Sequence, residues 1–249
     1  MARERGFYQL NVSWLQVIAG PVFGALFYGC ATPMSGDGVG VPDVKVGDAW
    51  TYNAVEEDFV DLKSTRVEYS FSRTVERVTE KEIDVSDKRE VFAGPEFKRR
   101  FDRTWSLLQA PGPNGRSIMF SPRKTNLVFP LTSGRSWSEN YIEQMQGDRE
   151  WNDHQTKGKV LGSEEITVPA GTFSTLKVEL LTPGSFGPRK LHIFVEPKNW
   201  GGIQEFYWYA PPIKNFVKYI QKAYISEKLA SQVTFELTDY RVDGKAFAR

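Results

Sequence analysis

From Trp50 onward, apolar side chains recur at every second position. Val67, Tyr69, Phe71 and Val75 alternate with Glu68, Ser70, Ser72 and Glu76. Successive side chains of a strand point to opposite faces of a sheet, so this pattern makes one apolar and one polar face. The same alternation runs through Leu176, Val178 and Leu180, through Leu191, Ile193 and Val195, and through Val233, Phe235 and Leu237. Each segment reads as a half-buried antiparallel strand. Near Asp239 the apolar phase slips by one, to Tyr240 and Val242, which predicts a β-bulge or the end of pairing there.

Turn chemistry separates these runs: Ala110-Pro-Gly-Pro-Asn-Gly-Arg116, Val168-Pro-Ala-Gly-Thr172, Pro183-Gly-Ser-Phe-Gly-Pro188, Asn199-Trp-Gly-Gly202 and Ala210-Pro-Pro212. Pro169 presets the first corner of a turn and Gly171 suits its exit, so Val168 to Gly171 is the sharpest hairpin signal. The fold class that follows is all-β: antiparallel meanders forming a two-layer sandwich or a strongly curved open sheet, with helix confined to the N-terminal signal. Gly47-Asp-Ala-Trp50-Thr51 recurs as Gly134-Arg-Ser-Trp137-Ser138. That recurrence suggests two related meanders, residues 45–128 and 129–249, within a single β domain spanning 45–249.

The first 29 residues follow different rules. Arg3 and Arg5 precede an apolar run from Val12 to Tyr28, broken by Gly20-Pro21 and ending at Gly29-Cys30. The run is shorter than a spanning helix requires and is kinked by its proline, as suits a cleavable signal peptide. A Cys directly after a small residue at the end of such a segment is where bacterial lipoproteins are cut and acylated. Cys30 is therefore the expected lipidation site, carrying palmitate or a related acyl chain and anchoring the protein to a membrane. Phe27 stands where a Leu, Ala or Val is usual, so the alternative is an ordinary signal peptide and a secreted or periplasmic soluble product. Residues 30–44 are rich in Gly and Pro and lack any apolar period, which predicts a flexible tether reaching at most about 50 Å. Ala31 after the Cys favours an outer-membrane lipoprotein facing the periplasm.

Cys30 is the chain's single cysteine, so the exported domain has no disulfide and relies on burial. The whole chain carries 32 basic and 31 acidic side chains, and loss of the leader leaves the two equal in number. Such a balance gives no general attraction to phosphate backbones, and no nucleic-acid partner is expected.

Candidate chemistry is sparse. His154 and His192 have no cysteine or third histidine beside them and read as surface or wall residues; no metal site and no cofactor is expected. Gly-x-Ser-x-Gly is absent, and Ser185 lies in a turn sequence. Glu56, Glu57, Asp58 and Asp61 lack the ligand alternation of a calcium loop and read as a solvated strand end. Lys98, Arg99, Arg100 and Arg103 are interleaved with Phe97, Phe101 and Trp105. Alternation sets Arg99 and Arg103 on the aromatic face, where they are candidates to contact an anionic headgroup or glycan. In Phe206-Tyr-Trp-Tyr209, Phe206 and Trp208 share one face and Tyr207 and Tyr209 the other. These four are core residues in a covered strand, or the lining of a groove for an apolar ligand in an open one.

Val46-Gly-Asp-Ala-Trp-Thr-Tyr52, Val168-Pro-Ala-Gly-Thr-Phe173, and Trp208-Tyr-Ala-Pro211 followed by Phe216-Val-Lys-Tyr219 together resemble a broad, uncharacterised family of exported bacterial β-rich proteins, many of them predicted lipoproteins. The resemblance covers most of residues 45 to 242 and departs at Lys214-Asn215, where family members often carry Val-Gly. It implies an antiparallel β fold in the cell envelope and transfers no catalytic residue. The function expected is an envelope-anchored, non-enzymatic binding module for an apolar ligand or a protein partner. The alternatives are a carboxylate-dependent hydrolase or glycan-active enzyme, and a structural or assembly subunit of the envelope.

Overall fold

The computed structural model describes residues 38–59, 64–89, 96–184, 201–225 and 227–246. Cys30, the leader, most of the tether and the expected strand from Leu191 to Val195 lie outside the described residues. The described residues belong to one compact unit, Met34–Arg249. Thirteen strands follow one another: β1 (Ala49–Asp58), β2 (Thr65–Val78), β3 (Glu82–Arg89), β4 (Phe97–Asp102), β5 (Leu107–Pro111), β6 (Ser117–Lys124), β7 (Ser136–Met145), β8 (Asn152–Val168), β9 (Gly171–Pro183), β10 (Gly202–Ala210), β11 (Asn215–Ile225), β12 (Lys228–Val242) and β13 (Lys245–Ala246). Helix among the described residues is limited to two short 3-10 turns, Pro113–Gly115 and Pro211–Ile213.

Each strand pairs with its sequence neighbours, and β1 also pairs with β12, from Ala49 opposite Arg241 to Asp58 opposite Ser231. The sheet therefore closes on itself as an up-and-down barrel of β1 to β12, with β13 a two-residue addition to β12. This corrects the expectation of a two-layer sandwich or open curved sheet. Alternation specifies the inward face of each strand. Closure depends on accumulated twist and on pairing between the two ends of the chain, which alternation does not encode.

Local expectations fare better where a single residue carries the signal. Val168 pairs with Gly171 across the two-residue turn Pro169-Ala170. Thr51 lies opposite Asp239 but Tyr52 opposite Leu237, so Thr238 is the extra residue of a bulge, its hydroxyl donating to the Thr51 carbonyl at 3.1 Å.

Trp50, Tyr52, Phe71, Val75, Ile83, Val85, Leu176, Val178, Leu180, Tyr209 and Leu237 point inward and are buried. The opposite face of the same strands carries Arg66, Glu68, Asp84, Arg100, Lys177, Lys218 and Glu236, most of them in ion pairs. A membrane-spanning barrel shows an apolar band outside and a polar lumen. This barrel has the reverse arrangement. No helix among the described residues is long and apolar enough to cross a membrane.

One end of the barrel is plugged. The Trp50 indole donates to the Ile213 carbonyl and the Trp105 indole to the Lys214 carbonyl, both at 2.9 Å. Asn126 in the β6–β7 connection donates to the Trp105 carbonyl at 3.0 Å, and Leu131 bridges to Val39. Lys214 Nζ reaches the Asp43 carbonyl and Asp243. The long β8–β9 hairpin completes the plug: a bulge at Leu161 next to Gly162 bends it, and its tip donates from Ala170 N–H to the Leu237 carbonyl of β12 at 2.9 Å.

The two recurrent Gly-x-x-Trp phrases open β1 and β7 in the same way. Gly47 and Gly134 both adopt positive φ, +88° and +81°, which favours glycine. Gly47 N–H donates to Val75 O while Val75 N–H donates to Asp48 O; Gly134 N–H donates to Val160 O while Val160 N–H donates to Arg135 O. The match extends across the next strands. Trp50 pairs with Arg73 as Trp137 pairs with Gly158. Arg73 pairs with Asp87 as Gly158 pairs with Leu180. Val85 pairs with Arg99 as Val178 pairs with Tyr207.

Candidate functional site

The lumen is incompletely filled. A cavity of about 340 Å³ lies among Tyr69, Arg73, Arg99, Phe101, Tyr207, Phe216 and Tyr219, at the lower end of the range typical of small-molecule sites. Toward the plugged end it meets Trp105, Leu107 and Leu127, all buried. Toward the end where β1 turns to β2 it meets Glu56 and Arg89, whose side chains are 40% and 39% exposed. Access is thus from that second end.

One wall is cationic. Arg73 of β2 and Asp87 of β3 face each other across the strand pair and form a bidentate ion pair, Nε to Oδ1 at 2.7 Å and Nη2 to Oδ2 at 2.8 Å. Both are buried, with 7% and 6% exposure. Arg99 of β4 donates from Nε to the same Oδ2 at 2.8 Å. The Arg73 guanidinium also lies 5.8 Å from the Phe101 ring centre and 5.9 Å from that of Phe216, an arrangement that favours a cation over aromatic faces. Burial would push the Asp87 carboxyl up, but Arg73 and Arg99 outweigh it and hold it below the usual carboxylate range. Burial would likewise lower the Arg73 pKa, and Asp87 reverses that shift. Beside them, Arg89 stacks on Tyr69 at 4.1 Å and donates to its hydroxyl at 3.1 Å. The Tyr69 hydroxyl donates to Glu56.

The opposing region is a neutral network. Glu205 of β10, 2% exposed, accepts from Lys124 Nζ at 2.7 Å, from the Tyr219 hydroxyl at 2.8 Å and from the Tyr207 hydroxyl at 3.0 Å. Lys124 ends β6, so this pair spans non-adjacent strands. Burial opposes ionisation of both groups, yet their mutual attraction holds Glu205 low and Lys124 high. Burial next to Glu205 raises both tyrosines well above their ordinary value.

The aromatic quartet of β10 is split by the barrel wall. Tyr207 and Tyr209 line the cavity. Phe206 and Trp208 face outward, where Lys177 lies 5.5 Å and 4.6 Å from their ring centres and the Trp208 indole donates to Glu164. Arg99 lines the cavity but Arg103 does not. Strand β4 ends at Asp102, whose Oδ1 accepts from Thr104 N–H at 2.8 Å and Ser106 N–H at 2.9 Å. This side-chain-stabilised turn interrupts the alternation before Arg103. Glu56 reaches the cavity, while Glu57 pairs outside with Arg66; Asp61 lies outside the described residues. His154 stacks on Tyr141 at 5.0 Å in the β7–β8 wall, and His192 and Ser185 lie outside the described residues. No group of three or more His, Cys, Asp or Glu with metal-binding geometry occurs among the described residues.

Sequence reasoning missed Arg73, Asp87, Arg89 and Glu205. All four sit on the inward phase, between or beside Phe71, Val75, Val85, Tyr207 and Tyr209, and a charge on the apolar face was the available signal.

No family model matches the chain, and no curated protein does. Two solved structures are similar: a candidate lipoprotein from Parabacteroides distasonis and a candidate exported protein with a YmcC-like fold from Bacteroides fragilis. Each is 16% identical with a TM-score of 0.45, covering 82% of this chain and 100% and 99% of the respective neighbour. Likeness at that level is loose, and the functional reading rests on the residues of this chain.

Proposed function

We propose that this chain is an exported lipoprotein, anchored through acylated Cys30, whose barrel holds an apolar small molecule in its lumen and performs no chemistry on it. The cavity carries the reading: an accessible space of about 340 Å³ walled by aromatic rings inside a domain whose outer face is charged. With that outer face the barrel itself suits water, so membrane association falls to the acyl anchor. The tether is the stretch from Cys30 to the point where Val39 bridges to Leu131 and Val44 enters the core, and outer-membrane placement facing the periplasm is part of the same proposal. So is the reading of residues 45–128 and 129–249 as two related meanders, supported by their matched openings and registers.

A binding role is favoured over hydrolysis by the state of the acids. Carboxylate-dependent glycoside hydrolysis needs one carboxyl held protonated near neutrality. The buried acids of this lumen, Asp87 and Glu205, are both shifted the other way by their cationic partners.

Intact-mass spectrometry of protein gently extracted from its native envelope tests the proposal. A diacyl or triacyl modification at Cys30 and a released small molecule are expected. An unmodified N-terminus beyond residue 30 would overturn the anchor. A co-purifying protein with an empty lumen would shift the function to envelope assembly.

A further inference from the structure

We infer that the lumen ligand is a compact single-chain amphiphile with one negative charge, its carboxylate or equivalent monoanionic head held by Arg99 and Arg89. The inference rests on the lumen-binding reading above and deepens it.

Charge balance gives the sign and the number. Three guanidinium groups, Arg73, Arg89 and Arg99, converge on the cavity with two carboxylates, Asp87 and Glu56. Lys124 and Glu205 cancel across the lumen. The cationic wall is left with one uncompensated positive charge in a partly desolvated space, where an unpaired charge is costly and a counter-charge is strongly favoured. A monoanion restores neutrality; a dianion or a neutral ligand does not.

Geometry says which group meets it. Arg73 is committed to Asp87 through two of its nitrogens. Arg99 spends only Nε on Asp87, and its two terminal nitrogens have no hydrogen-bond partner among the described residues. Its side chain is 32% exposed and lines the cavity. A planar guanidinium with its terminal donors free matches a carboxylate in a forked pair. Asp87 orients Arg99 from behind, and Arg89, packed on Tyr69, lines the same cavity.

The remainder of the site suits an apolar body. Phe101, Trp105, Leu107, Leu127, Tyr209 and Phe216 continue from the cationic wall toward the plugged end, so a tail directed inward leaves its head near Glu56 and Arg89. Exposed apolar side chains also stand at the accessible end: Phe59 directly follows β1, Ile225 closes β11 and Met119 lies near the start of β6. An apolar rim lowers the barrier for an amphiphile leaving a lipid surface.

Titration calorimetry of the mature protein, stripped of bound lipid, with decanoate and with decanol tests the inference. Decanoate is expected to bind at least tenfold more tightly than decanol. Arg99→Gln should weaken decanoate by about tenfold or more, the loss of one charge-assisted pair, with decanol unchanged. Arg99→Lys should restore part of the difference. Arg99→Gln leaves the Arg73–Asp87 pair in place, and an unchanged circular dichroism spectrum and melting curve would separate lost recognition from lost folding. Equal binding of decanoate and decanol, or an indifferent Arg99→Gln, would sink the headgroup assignment while leaving lumen binding intact. Binding of neither would remove both.

Discussion

Strands β2–β4 and β8–β10 share a register and differ in chemistry. Where the first block places Arg73, Asp87 and Arg99, the second places Gly158, Leu180 and Tyr207 at matched positions. The Val75–Val85 and Val160–Val178 pairs are common to both. One backbone frame thus accepts a buried guanidinium–carboxylate pair or a glycine under an indole with a leucine opposite. The frame does not need the charges. A buried ion pair contributes little net stability relative to apolar residues of similar volume, because desolvation offsets its attraction. The charged block is better explained by what it presents to the lumen than by what it adds to folding. The apolar block, with Trp137 over Gly158 and Leu180 fully buried, supplies ordinary packing.

Making the first block resemble the second gives the largest expected effect. Asp87→Leu copies the residue at the matched position but leaves Arg73 buried beside Arg99 without a carboxylate. Removing one partner of a buried pair typically costs about 3–5 kcal/mol. Urea unfolding should show that loss as a lower midpoint with an unchanged slope. Adding Arg73→Met should recover most of it, since the apolar pair is close to neutral against the ionic one. If the double variant stays as unstable as Asp87→Leu, the charges are integral to the frame and the functional reading of this block weakens.

The reverse incursion is smaller. A Cβ on Gly158 would lie 2.1 Å from Trp137 Cε2, far inside contact distance, so Gly158→Ala must displace the indole. Overpacking of this kind costs about 1–3 kcal/mol, read as a drop in melting temperature with altered indole near-ultraviolet signal. No change would mean that Trp137 has room to move and that the second block is looser than its packing indicates.

Much of the wall was legible from residues alone, because a period of two assigns each side chain to a face. Phe71-Ser-Arg73-Thr-Val75 carries a charge on that inward phase: Thr74, not Arg73, faces away from the core. The same holds for Val85-Ser-Asp87 and Glu205-Phe-Tyr207, where a charge sits on the apolar phase and announces a buried polar site. What that phase does not disclose is the partner. Arg73 finds Asp87 only when β2 and β3 take their register, including the bulge between Val75 and Arg77. Lys124 finds Glu205 only when the barrel closes, since β6 and β10 are not neighbours. Arg103 was misplaced for a local reason, since Asp102-Arg-Thr104 is a turn sequence whose carboxylate captures the following amides and ends the strand.

The smallest effect expected from the same comparison lies in pH dependence, and its sign follows from the ion pairs. Asp87 and Glu205 have carboxyl groups lowered in the fold. Each contributes stability that is fully present above its unfolded value, about pH 4, and that is lost as pH falls through the lower folded value. Lys124 is raised, so its contribution is present below its unfolded value, about pH 10, and fades only above that. Burial also holds His154 low, so stability should be flat above about pH 7, begin to fall below the unfolded histidine value of about 6.5, and fall further as the carboxylates protonate. The Arg73→Met/Asp87→Leu double variant removes one of the two buried acids, so its stability should decline less steeply between about pH 4 and pH 2, while the Glu205 share of the slope persists. Matching acid slopes in wild type and double variant would show that Asp87 is not held low by Arg73 and Arg99. That result would also remove the pre-oriented Arg99 on which headgroup capture depends.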